Sequence, residues 1–174
     1  MPYTVAIALG SNLGDRAYNF RRALYELRKI VHIVRVSSFH ETEPVDAPPG
    51  SPRFLNAVVV AHTPLAPLQL LEAMQTIESR LGRRRSGVPN APRTIDLDLI
   101  FHSAHRMRSS RLTLPHPRYR EREFVMKPLA EVWAGIDVTF FPFPFLFAEL
   151  PASSCLNFDA RSICHALCPP CGSK

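Results

Sequence analysis

Thr94-Ile95-Asp96-Leu97-Asp98 alternates polar and apolar residues, and Leu99-Ile100-Phe101 continues the apolar run. A two-residue period is that of a half-buried strand, so Ile95, Leu97 and Leu99 share one face while Thr94, Asp96 and Asp98 share the other. Strands are poor in Asp, and two carboxylates on one face repel. Two arrangements make sense of that penalty. The acids can lie on the solvated outer face of an edge strand, where charge discourages pairing with another sheet. Alternatively, a hard divalent cation can sit between them, since Mg²⁺ takes one or two carboxylates and fills its other positions with water and phosphate oxygens.

The neighbourhood favours the cation. From Arg80 to Arg122 there are eleven Arg, no Lys and three acids (Asp96, Asp98, Glu121), a net +8 against +6 for the whole chain. Arg offers the planar fork that matches phosphate oxygens. An acid pair ringed by guanidinium groups suits phosphoryl transfer, where positioning and charge neutralisation carry the catalysis. These residues point to a polyphosphate site.

Asn90-Ala91-Pro92-Arg93-Thr94-Ile95-Asp96-Leu97-Asp98-Leu99 resembles the signature of the 6-hydroxymethyl-7,8-dihydropterin pyrophosphokinase (HPPK) family of folate biosynthesis. Further motifs follow in order: Ala8 to Gly14, Ser37-Ser38-Phe39 with Thr42-Glu43-Pro44, Phe54 to Ala57, Gln75 to Glu78, and Leu114 to Pro117 with Arg122 and Phe124. The resemblance runs from residue 5 to about residue 133 and then fades. It implies transfer of pyrophosphate from ATP to the hydroxymethyl group of the pterin, releasing AMP, with two Mg²⁺ ions. By motif, Asp96 and Asp98 are the metal ligands, and Arg83, Arg93, Asp96 and Asp98 the catalytic set. Gln75, Glu78, Arg85, Arg93, Leu99, Thr113, His116 and Arg122 fall on the ATP side. Thr42, Pro44, Val45, Phe54, Asn56 and Phe124 fall on the pterin side, the two Phe as the pair that stacks on the ring. His116 is expected to donate a hydrogen bond to phosphate and not to act as a general base. Departures from the family pattern are Asn90 in place of an aromatic residue, Pro117 in place of a tyrosine, and Glu43 in place of a small residue or proline.

Read without the resemblance, Phe54 and Phe124 are ordinary core residues, Glu78 is either a snorkelling boundary residue of a helix or a functional polar group, and the Gly10 to Gly14 loop is a tight strand-to-helix turn. That loop lacks the Lys-Ser/Thr of a P-loop. A pI near 9.5 admits a different class of function, a basic single-stranded RNA-binding module. An RNA-binding sheet normally carries aromatic residues on its central strands, and the basic and aromatic residues here form no such run. A third alternative is a pterin-binding homologue without turnover.

At 174 residues the chain fits one domain. Strands are expected at Tyr3 to Leu9, Val34 to Phe39, Leu55 to Ala61 and Thr94 to Phe101, with helices from Leu13 to Ile30 and from Leu65 to Leu81. Asn12 or Asp15 is the expected cap of the first helix. The order β-α-β-β-α-β predicts an α+β, ferredoxin-like split β-α-β sandwich. The proline-rich segment from Glu41 to Arg53 is expected to be a loop, Arg106 to Arg111 a polar turn, and Glu123 to Trp133 a short closing helix. Residues 1–135 form the expected catalytic domain, and 136–174 an atypical tail without fixed structure. The tail's Cys164 to Cys171 resembles half a zinc knuckle. The apolar run from Ile136 to Leu150 is too short and too proline-rich to cross a bilayer, and the first residues read as a strand and not as a signal peptide. A cytoplasmic monomer that binds neither nucleic acid nor membrane is expected.

Overall fold

A computed structural model of the chain describes residues 2–45, 48–84 and 91–133. Four long strands are β1 (Tyr3–Ser11), β2 (His32–Val36), β4 (Phe54–Thr63) and β5 (Asp96–His102), with a short β3 (His40–Thr42) beside them. The helices are α1 (Arg16–Leu27), α2 (Pro67–Arg80) and α3 (Glu123–Trp133), and β6 (Met107–Arg108) with β7 (Thr113–Leu114) forms a small hairpin. The sheet order is β2-β4-β1-β5, with β3 also on β4, and every pairing is antiparallel. That is the expected split β-α-β arrangement with one added short strand.

Both faces of the sheet are covered. Val5, Ile7, Leu9, Val59, Leu97 and Leu99 pack with Phe20, Leu24 and Leu27 of α1 and Leu70, Met74 and Ile77 of α2. Ala6, Ala8, Val58 and Val60 point the other way and pack with Val125, Leu129, Val132 and Trp133 of α3. This explains why β1 and β4 read as continuous apolar runs: a strand covered twice needs no polar alternate. β5 keeps its alternation at Asp96 and Asp98 and loses it further on. Ile7 pairs with Leu99 but Ala6 pairs with Phe101, so Ile100 is an extra residue. The bulge puts both Ile100 and Phe101 on the α3 face, where Phe101 meets Trp133 edge-on at 4.5 Å.

Several boundaries differ from expectation for local reasons. α1 starts three residues late because Asp15 caps it, its side chain accepting the Tyr18 N–H. After Leu27 the chain tightens into turns, with the Lys29 and Ile30 N–H groups donating to Glu26 and Leu27 carbonyls. The strand expected from Val34 to Phe39 starts earlier, at His32, and stops at Val36; pairing with β4 resumes in β3 at His40, past the expected end. At the break, the Ser37 hydroxyl takes the Val58 N–H in place of a backbone carbonyl. The loop expected from Glu41 therefore begins inside β3. Arg106 to Arg111 lies in a hairpin whose turn is closed by the Ser109 side chain and backbone on Leu112. β5 begins at Asp96, two residues later than the alternation suggests. The tail from residue 134 onward, with its cysteines, lies outside the described residues.

α3 is tied to the far end of the sheet through one carboxylate. Glu131 accepts the Ser38 N–H at 2.8 Å, the Ser38 hydroxyl at 2.8 Å and the His40 Nε2–H at 2.5 Å. Burial pushes the Glu131 pKa up, but the bonds from Ser38 and His40 outweigh it and hold the group below the usual range. A depressed carboxylate stabilises the fold above its unfolded pKa, and that stability is lost as pH falls through the lower folded value. Glu131→Gln should therefore destabilise the fold by about 1–2 kcal/mol at pH 7. The difference from wild type should shrink below pH 4, as measured by urea unfolding across pH.

Candidate functional site

The first face of β5 is core and the second is open only at its start, where Asp96 and Asp98 lie opposite Gly10 and Ala8 of β1. A cavity of about 610 Å³ opens there. Its walls bring together Arg83, Arg93, Asp96, Asp98, His116 and Arg122 on one side of the expectations, and Thr42, Val45, Phe54, Asn56 and Phe124 on the other. Residues up to 117 positions apart in the chain converge on it, from Ala8 to Val125.

Both oxygens of Asp96 are engaged. Arg83 Nη1 donates to Oδ1, and Arg93 Nη1 donates to Oδ2 at 2.6 Å. Asp98 is freer: Arg122 Nη1 stands 3.5 Å from its Oδ2, and 41% of its side chain remains accessible. Loss of hydration and the neighbouring Asp96 push the Asp98 carboxyl up to about 6, against the pull of Arg122, Arg83 and Arg93. Two carboxylates lining one cavity, Asp98 the freer of them, fit a hard cation that takes its remaining ligands from water and phosphate. Among the described residues no group of three or more His, Cys, Asp or Glu is placed to hold a metal, which disfavours a closed all-protein site.

The loop after β1 holds the arginine side of the cavity. Asn12 pins the Arg93 backbone from both directions, accepting its N–H at 2.7 Å and donating its own N–H to the Arg93 carbonyl at 3.1 Å. Its amide also reaches the Pro52 carbonyl at 3.2 Å, and the Ser11 hydroxyl donates to the Thr94 carbonyl. Asn12 is thus the clamp of the basic loop, while Asp15 caps the helix. Gly10 lies on the cavity floor. A Cβ there would stand 3.5 Å from Asn56 Oδ1 and 3.8 Å from Asp96 Cβ, filling space between the two halves of the cavity.

His116 is kept neutral by burial and by the charge of Arg122, both of which lower its pKa. Its Nδ1 accepts the Arg118 N–H at 3.2 Å, so the remaining proton sits on Nε2 as a donor. At the other end of the cavity the Asn56 amide donates to the Thr42 hydroxyl at 2.8 Å, which leaves the Asn56 carbonyl oxygen as an acceptor. Arg93 lies over the Phe54 ring at 5.8 Å and Arg122 over the Phe124 ring at 5.6 Å. Glu43 also lines the cavity, and its carboxylate meets Arg53 at 2.8 Å.

Five residues expected at the site lie elsewhere. Leu99 is buried among the α1 and α2 side chains, on the face away from the carboxylates. Gln75 lies with Glu72, Thr76 and Ser79 around a separate shallow hollow on α2. Thr113 pairs with Arg108 in the hairpin. Pro44 is half-buried and does not line the cavity. Glu78 is 3% exposed and makes its contacts inside the fold. Arg85 and Asn90 lie outside the described residues. Asn12, Glu43 and Arg118 are cavity or clamp residues that sequence reasoning did not place there. Asn12 was visible only as a turn residue, and Glu43 only as a departure from a pattern.

The raised Asp98 pKa fixes a pH dependence. Unfolded, the carboxyl ionises near its ordinary 3.8, whereas folded it ionises near 6, so its ionisation opposes folding increasingly from about pH 4 to pH 6 and fully above. Asp98→Asn removes that opposition. The variant should be more stable than wild type at pH 8 by about 1 kcal/mol, a figure reduced because solvent reaches the open side of the group. Thermal unfolding at pH 8 and pH 4 measures the gain and its disappearance.

The model of the 7,8-dihydro-6-hydroxymethylpterin-pyrophosphokinase (HPPK) family matches residues 6–134. A folate synthesis bifunctional protein, mitochondrial, of Pisum sativum is 48% identical over 129 residues, covering 74% of this chain and 25% of its own. A 2-amino-4-hydroxy-6-hydroxymethyldihydropteridine pyrophosphokinase of Bacillus subtilis is 44% identical over 133 residues, covering 75% of this chain and 78% of its own. The chain therefore spans about a quarter of the plant relative's length and over three quarters of the bacterial one's. A solved structure of an HPPK-DHPS protein in complex with substrates shares the fold, with a TM-score of 0.59 and 14% identity over 82% of this chain and 42% of that one. From residue 6 to residue 134, the chain belongs to the HPPK family.

Proposed function

We propose that this chain transfers pyrophosphate from ATP to the hydroxymethyl group of 6-hydroxymethyl-7,8-dihydropterin, releasing AMP. The observation that carries the proposal is the convergence, in one cavity, of an acid pair, four arginines and two phenylalanines. Thr42 and Asn56 read the edge of the flat pterin ring, with Phe54 and Phe124 supplying its apolar faces. The Asn56 carbonyl oxygen, oriented by Thr42, suits the ring's N–H donors. Arg83, Arg93 and Arg122 face the phosphates, and the His116 Nε2–H donates to a phosphate oxygen.

Asp96 and Asp98 would hold Mg²⁺, two ions in the full complex, which would draw charge from the β- and γ-phosphate oxygens. The pterin oxygen forms its bond to the β-phosphorus as the bond to the α-phosphate oxygen breaks, and the pterin hydroxyl proton passes to solvent. Such transfer demands little covalent chemistry of the protein; alignment and fixed positive charge do most of it. Neutral His116 adds a donor where negative charge accumulates.

The activity for which the Bacillus subtilis relative is named supports this reading, and family membership supports ATP as the co-substrate. The alternative of RNA on the open sheet is disfavoured by packing, because α1 and α2 cover one face of the sheet and α3 the other. We take the catalytic domain to be residues 1–135, acting as a cytoplasmic monomer. Among the described residues no helix is long and apolar enough to cross a membrane.

Two outcomes test the proposal. Incubation with ATP, Mg²⁺ and the pterin should yield AMP and a diphosphorylated pterin; ADP with a monophosphorylated product would make the chain an ordinary kinase. Asp98→Ala should lower turnover by about 10²-fold or more while the fold survives, because it removes one of two repelling charges. Retained turnover would remove Asp98 from the metal site.

A further inference from the structure

Glu78 was expected at the nucleotide, yet it sits in the last turns of α2, 3% exposed, with its carboxylate turned into the seam between α2 and β5. Its Oε1 accepts two bonds. One is the Leu97 N–H at 2.7 Å, the amide between the two aspartates; the other comes from Arg83 Nη1. The same Nη1 also donates to Asp96 Oδ1, so one nitrogen of one guanidinium bridges two carboxylates. Arg83 is further fixed by its backbone, whose N–H donates to the Glu78 carbonyl at 3.0 Å.

Together with Arg93 on Oδ2, this puts a guanidinium on each oxygen of Asp96. A divalent cation coordinated by Asp96 would stand beside both of these positive charges. The repulsion favours the departure of one of them. Arg93 is held to its own loop, its Nε–H donating to the Ala91 carbonyl at 3.1 Å, and among the described residues its carboxylate partner is Asp96 alone. Arg83 has a second carboxylate already bonded. It can leave Asp96 without losing its charge partner.

Building on the proposed function, we infer that Glu78 is a positioning residue: it retains Arg83 when Asp96 exchanges that guanidinium for a divalent cation, and it fixes the amide between the two ligands. Arg83 in this picture is a stand-in cation that offsets the acid pair before the metal arrives. Glu78 sets how readily the stand-in gives way. A carboxylate that did not compete for Arg83 would leave the guanidinium on Asp96 alone, and metal would have to break the only ion pair Arg83 has.

Mn²⁺ alone, titrated by electron paramagnetic resonance, tests this without turnover or nucleotide. The proteins are wild type, Glu78→Gln, Arg83→Met and the double variant, each checked for its melting temperature. Gln keeps an acceptor for the Leu97 N–H and loses only the charge. Glu78→Gln should weaken Mn²⁺ binding about tenfold in the presence of Arg83, because Arg83 then holds Asp96 unopposed. Arg83→Met should tighten it, and adding Glu78→Gln to Arg83→Met should change it by less than twofold. An equal tenfold loss in both backgrounds would show that Glu78 acts on the metal by its charge alone and overturn the exchange. So would unchanged binding in Glu78→Gln, or an Arg83→Met protein that binds no tighter than wild type; this last comparison stands even where Glu78→Gln does not fold. Wild-type protein that binds no Mn²⁺, or binds it equally well with Asp98→Asn, would instead overturn the metal site on which the inference rests.

Discussion

Everything at the open end of the sheet answers to the repulsion between Asp96 and Asp98. Side chains two apart on a strand stand some 6–7 Å from one another, and like charges at that distance oppose each other by about 2.5 kcal/mol at an effective dielectric of 20. The fold meets this with guanidinium groups. Arg83 and Arg93 take both oxygens of Asp96, while Arg122 approaches Asp98 more loosely. The result is one neutralised and one exposed carboxylate. That asymmetry leaves Asp98 the more accessible of the two, and on the exchange proposed above Asp96 takes a cation as Arg83 departs.

The scaffold behind this pair is ordinary packing put to a directional use. β5 is an edge strand of the sheet, buried on the α2 side by Leu97 and Leu99 and on the α3 side by Ile100 and Phe101. Only its first three residues escape cover on the second face. The bulge at Ile100 allows this, because it lets β5 change from alternating to doubly buried within one strand. The basic loop before β5 has no regular structure of its own where it is described, and it depends on Asn12 and Ser11 to hold Arg93 and Thr94 in place. Helix α2 contributes Glu78 from behind. Three separate elements thus converge on one short stretch of backbone.

Much of this was legible in the residues. The two-residue period of Thr94 to Asp98 foretold which side chains share a face, and Leu97 and Leu99 do lie opposite the acids in the core. The helical spacing of Phe20, Leu24 and Leu27 foretold the buried face of α1, and Glu123 to Trp133 is a helix with the expected bounds. What could not be read were properties that arise only when distant segments meet. Glu78 has helical spacing close to the apolar stripe, and nothing local says that its carboxylate will find the Leu97 amide nineteen residues on. Asn12 and Asp15 are equally good caps by residue type, and only the approach of Arg93 claims Asn12 for another task. Leu99 and Thr113 were drawn to the site by motif alone. Leu99 went to the core because the strand's alternation, which puts the acids outside, must put it inside.

The measurement that bears most directly on this account is anomalous diffraction from crystals grown with Mn²⁺ and a non-hydrolysable ATP analogue. The account predicts manganese within coordination distance of both Asp96 and Asp98, bridged to phosphate oxygens, with Arg83 displaced from Asp96 and still on Glu78. Nucleotide bound in the cavity with both carboxylates held by arginines alone, and no manganese between them, would contradict it.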